Sequence, residues 1–189
     1  WERLCQQPKS ENAQLLLRIA GQLPEAAEIP IARLGLLAGL QDEKVLKPLT
    51  SAIQSLWKVA LVEELKADAI RLHPLVRNFA EELTPQNEYP LFLGNCARRV
   101  TESYSNLYLL DHEFQRRGIG AIMGDLIVTL TLIQNYTVEN YVLQERLALL
   151  LQLIKRESHK CLGTDSPGFA LWRQLLYRAN RFQQEKLLS

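Results

Sequence analysis

No loop of the form Gly-x-x-x-x-Gly-Lys-Ser/Thr occurs in the 189 residues, so the chain carries no phosphate cradle of its own. The glycines Gly118, Gly120 and Gly124 follow no strand pattern and read as close helix packing or a helix start. Without that loop, or a set of magnesium ligands, the chain alone is expected not to hydrolyse nucleotide. An excess of charge is also missing. Twenty-two basic and 21 acidic residues leave a formal charge of +1, which removes any general attraction to nucleic acid or an anionic membrane. Cysteine is scarce: Cys5, Cys96 and Cys161 are an odd, scattered set without metal-ligand spacing, as expected of reduced thiols in a cytoplasmic protein. No secretory signal is visible. The apolar stretch Gly118 to Ile133 is short for a bilayer span and holds Gly124, Asp125 and two threonines, so a buried helix is expected there. Met123 is the one methionine and Trp1 stands first, the pattern expected of a piece of a longer protein, in which a leader further upstream stays open.

Catalytic and metal constellations are thin as well. His159 and Cys161 form His-x-Cys with no companion pair, short of the four ligands zinc requires. Asp111-His112-Glu113 offers acid–base groups, but nothing nearby marks a nucleophile or a cleft, and a solvated helix end or turn is the expectation. No Ser-His-Asp or Cys-His order is recognisable.

What is present is helical periodicity. Ser10 can cap a first helix with Leu15, Leu16, Ile19 and Leu23 on one face, ended by Pro24. Pro30 opens a second helix, about 31–40, and Asp42 leads to a third, from about Pro48 through Trp57, with Leu49, Ala52, Ile53, Leu56 and Trp57 on its apolar side. Leu61 to Leu65 and Ala69 to Leu72 flank Lys66-Ala67-Asp68 as a hairpin. The second strand runs into His73 and Pro74, where proline suits the first turn of a helix. In that helix Leu75, Val76, Phe79 and Leu83 are expected on one face. Thr84 to Glu88 is polar, contains Pro85 and marks a domain boundary, giving domains 1–84 and 85–189. Beyond it, stripes at Leu91–Leu107, Ile119–Ile133, Leu143–Ile154 and Phe169–Phe182 predict an all-α bundle or short superhelical stack. The fold class is therefore mainly α: three to four helices with a small β-hairpin wing, then a helical domain.

The segment Arg71-Leu72-His73-Pro74, with Leu15 to Ala20, Leu23-Pro24-Glu25, Ile29-Pro30-Ile31 and Leu56 to Glu63 before it, resembles the winged-helix domain of STAND-class nucleotide switches, the NB-ARC and apoptosome-like family. Ile122-Met123-Gly124-Asp125-Leu126 and Leu162 to Arg181 are similar to the helical arm that follows that domain. The resemblance implies that His73 contacts the β-phosphate of ADP held by an upstream nucleotide-binding domain of the same protein. It further implies that ADP or ATP with Mg serves the whole protein, that a downstream sensor of WD or other repeats follows, and that activation brings homo-oligomerisation. The family often has Asp where Pro74 stands, so any role of that carboxylate is lost here. A different class stays open: a winged helix reading DNA through Thr50 to Trp57, poor in cations beyond Lys47 and Lys58. A protein-interaction scaffold is the third.

Overall fold

Apolar side chains at helical spacing organise most of this chain. The computed structural model describes residues 2–6, 10–23, 28–43, 45–133, 144–145, 147–149 and 151–152. Its helices are α1 (Glu2–Cys5), α2 (Glu11–Gln22), α3 (Ile31–Ala38), α4 (Pro48–Lys58), α5 (Pro74–Glu82), α6 (Tyr89–Ser105) and α7 (Leu107–Ile133), with a 3-10 turn at Gln86–Glu88. Three short strands, β1 (Ile29–Pro30), β2 (Glu64–Leu65) and β3 (Ala69–Arg71), complete a mainly helical fold.

Helix α2 lies at the centre, against α3, α4 and α5, and buries Leu16, Leu17, Ile19 and Ala20. Each such leucine contributes about 1.5–3 kcal/mol by leaving water. Ser10 precedes α2 but does not cap it: its backbone is already helical, and its hydroxyl accepts from Gln14 Nε2 at 2.9 Å. Helix α4 takes its cap from further away, since Asp42 Oδ1 accepts from the backbone N–H of Leu49 at 2.9 Å and Thr50 at 3.2 Å. Those donors are the unsatisfied first-turn groups that any helix start must provide for.

Both α3 and α4 end in the same paired-carbonyl motif. Leu40 N–H reaches Gly35 O and Gly39 N–H reaches Leu36 O after α3; Leu61 reaches Leu56 O and Ala60 reaches Trp57 O after α4. The left-handed residue is Gly39 in one case and Ala60, at φ 57°, in the other. The turn after α4 feeds the hairpin, closed by Lys66 N–H on Ala69 O at 2.8 Å. The sheet has one strand more than the expected hairpin: β1 pairs antiparallel with the free edge of β3, Ile29 opposite Ile70, in the order β1-β3-β2. Two residues ending in proline carry little strand signal, and an edge is where proline is tolerated.

Helix α5 meets α2 backbone to backbone at Gly21, whose added Cβ would lie 2.5 Å from Ala80 C and Glu81 N. That approach turns Ala80 inward; of the expected face, Val76 and Leu83 pack against the core, whereas Leu75 is 72% exposed and Phe79 37% exposed. Trp57 and Leu91, also expected inside, are exposed. Ile53 and Leu56 of α4, and Leu93 and Ala97 of α6, are buried as expected.

Arg18 holds the connector after α5, donating to Thr84 Oγ1 at 3.1 Å while its guanidinium lies 4.6 Å from the Phe92 ring centre. Helix α6 then packs on α3 and α7. Arg99 donates to Leu37 O at 3.0 Å, a cation at the carbonyl end of α3. One cluster of buried side chains runs from Leu4 through Leu56 and Tyr104 to Leu147. The α7 span breaks at Gly118, where φ is 76° and ψ 169°, so that its second helical piece starts at the expected Ile119 and a first piece precedes it from Leu107. The Phe169–Phe182 stripe, and Leu143, Leu150 and Ile154, lie outside the described residues.

Candidate functional site

His73 stands at the N-cap of α5, directly after β3. Its Nδ1 accepts the Leu75 N–H at 3.2 Å, providing for one of the first-turn donors. A neutral imidazole whose Nδ1 accepts carries its proton on Nε2. The exposed ring therefore offers Nε2–H as a donor beside the positive end of a nine-residue helix. Leu75, two residues on, adds an exposed apolar side chain to the same corner. Such a corner can hydrogen-bond an acceptor and bury apolar surface at once.

The elements that carry His73 are braced by charge. Arg71 pairs with Glu63 and Glu64, and Lys66 pairs with Glu28 and Glu64. The Glu28 hydrogen bond raises the Lys66 pKa above its ordinary value, against desolvation. These pairs occupy the cations of the hairpin and weaken the DNA alternative, because phosphate binding needs several available Lys or Arg on one surface.

A second constellation, marked by no sequence motif, centres on a buried carboxylate. Asp125 is 1% exposed and forms a hub between α3, α6 and α7. Its Oδ1 accepts from Arg33 Nε at 2.8 Å; its Oδ2 accepts from Arg117 Nη2 at 2.7 Å and from the Tyr104 hydroxyl. Arg117 also donates to the Tyr104 oxygen at 2.8 Å and to Glu113. A buried carboxylate needs such partners, since an unpaired one costs several kcal/mol. Burial and the Asp125 charge together push the Tyr104 hydroxyl well above the usual phenol range, keeping it a donor. Burial opposes charge on Arg117, but Asp125 and Tyr104 outweigh it and raise its pKa. Burial likewise would raise Glu113, yet Arg116 and Arg117 hold it below the ordinary carboxylate value.

This hub corrects one expectation. Asp111-His112-Glu113 is neither a solvated end nor a turn: it lies within α7, and Glu113 receives both Arg116 and Arg117. Of the three glycines, Gly120 has open space around it, whereas a Cβ at Gly124 would lie 3.0 Å from Arg33 Nη2. Gly124 thus lets Arg33 reach Asp125. The signal was a lone carboxylate in the apolar run 118–133, which demands buried cations. His159 and Cys161 lie outside the described residues.

Among the described residues no group of His, Cys, Asp and Glu is arranged to hold a metal ion, and no helix is long and apolar enough to cross a membrane. No protein-family model, curated protein or solved structure matches this chain.

Proposed function

We propose that this chain is the winged-helix and helical-arm portion of a STAND-class signal-transduction ATPase, acting in the cytoplasm as a sensor of ADP or ATP on an upstream domain. Helices α2 to α4, the antiparallel sheet with its β2–β3 wing, and α5 would form the winged helix; α6 and α7 would begin the arm. In the intact protein, His73 donates Nε2–H to the β-phosphate of ADP and clamps this unit against the nucleotide-binding domain. The observation that carries this role is the occupied Nδ1: with Leu75 N–H on that nitrogen, the exposed Nε2–H is the group left for an external acceptor. Bound ADP supplies the phosphate oxygens, and the chain supplies the donor, its orientation and the Leu75 contact.

A contact made in the closed state alone shifts the population toward that state. A hydrogen bond to a charged phosphate contributes about 1.5–3 kcal/mol, enough to move such a balance tenfold or more. Exchange of ADP for ATP then releases the clamp, and the arm carries the rotation toward a downstream repeat or sensor domain and a homo-oligomer. The test uses the whole protein with His73→Ala. Size-exclusion chromatography without any activating signal should show the oligomer at the expense of the monomer. A variant as monomeric as the parent, with its fold intact, would count against the clamp.

A further inference from the structure

We infer that α7 is a two-position hinge, pivoting on Gly118 and held bent by Arg117 clasped onto Asp125 and Tyr104. Gly118 is the one residue of the 27 in α7 with non-helical torsions, φ 76° and ψ 169°. Glycine alone adopts that region readily. An added Cβ there would meet nothing within 4 Å, so the torsion, and not crowding by neighbours, selects glycine. A change at one residue separates the bent form from a continuous helix.

The clasp belongs to the bent form alone. In a continuous helix residues eight apart are separated by about 12 Å along the axis, whereas side chains three or four apart are neighbours. Yet Arg117 Nη2 lies 2.7 Å from Asp125 Oδ2, across the bend. The same nitrogen reaches the Tyr104 hydroxyl of α6 at 2.8 Å. Release of Arg117 does not strand Asp125, because Arg33 and Tyr104 remain on its two oxygens. The second position therefore leaves no buried charge without a partner, and Arg117 moves toward water with Glu113 still beside it.

The moving part is the segment 107–117. It supplies Leu109, His112, Glu113 and Arg116 as one wall of a cleft of about 870 Å³, whose other wall includes Ile31 and Asp42. Straightening α7 carries the first wall away from the second and opens the cleft. This device is independent of any role for His73.

The test places spin labels in the full chain at His112→Cys and Thr131→Cys, both exposed, after Cys5→Ser, Cys96→Ala and Cys161→Ser. Pulsed electron paramagnetic resonance reads the separation, which for a continuous helix over those 19 steps is about 28 Å. The parent should show mainly a shorter distance. Arg117→Met and Gly118→Ala, made separately, should each raise the long-distance population at least fivefold. Gly118→Ala adds no steric contact, so it reads the pivot even where loss of Arg117 lowers helix content. Distance distributions like the parent's in both variants, with helix content preserved, would overturn the hinge.

Discussion

Replacing Gly21 by alanine should destabilise this protein by wedging α5 away from α2. The ideal Cβ would sit 2.5 Å from Ala80 C, 2.5 Å from Glu81 N and 2.8 Å from Ala80 O, all of them backbone atoms that no rotamer change can remove. Ordinary contact begins near 3.4 Å, so the helices must part by close to an ångström at their nearest approach. Overpacking of this kind costs about 1–3 kcal/mol, and the immovable obstacle places Gly21 toward the upper end. Alanine returns about 0.8–1 kcal/mol through its better helix propensity. The net loss is roughly 1–2 kcal/mol, or about 2–8 °C in Tm for a chain of this size. Gly120→Ala is the control, a helical glycine with nothing within 4 Å of the new methyl, and it should gain stability. Thermal unfolding by circular dichroism compares the two. If Gly21→Ala unfolds no earlier than Gly120→Ala, the close approach of α2 to the last turn of α5 is wrong.

Ala60→Gly should stabilise the turn that leads into the wing. Ala60 holds φ at 57° in the same carbonyl-capping motif that Gly39 closes after α3, and relief of that left-handed strain is about 1 kcal/mol, read as a higher denaturant midpoint. Glu113 carries a pH dependence. Its folded pKa lies below the ordinary 4.5, so its contribution is fully present above that value and is lost as the pH falls below it. Glu113→Gln should therefore flatten the fall in stability below pH 4.5, measured by urea unfolding across that range; a slope equal to the parent's would contradict the Arg116 and Arg117 pairing.

The helical stripes of α2 and α3, the start of α4 at Pro48, the Lys66-Ala67-Asp68 turn and the His73–Pro74 junction could be read from spacing alone, because local periodicity and proline geometry act within a few residues. Three things could not. Val76 and Leu83 of α5 pack inward as their spacing implies, but Leu75 and Phe79 do not, because Gly21 draws Ala80 inward through one close approach between residues far apart in sequence. Strand β1 depends on the free edge of β3 more than on its own two residues. The Asp125 hub joins Arg33, Tyr104 and Arg117, and no periodicity links residue 33 to residue 125. A buried carboxylate announces a need for cations without naming which.

The most direct test of the His73 clamp is the ADP dissociation rate of the whole protein, followed with a fluorescent analogue, in the parent and in His73→Ala. Loss of one hydrogen bond to a phosphate, about 1.5–3 kcal/mol, should speed release by roughly 10- to 150-fold. The ring also caps α5 through Nδ1, so thermal unfolding of the present chain should fall by about 1 kcal/mol and no more. Faster release with that small loss is the outcome expected of a phosphate contact. An unchanged ADP off-rate with a large loss of stability would make His73 a structural cap and contradict the nucleotide-sensing account.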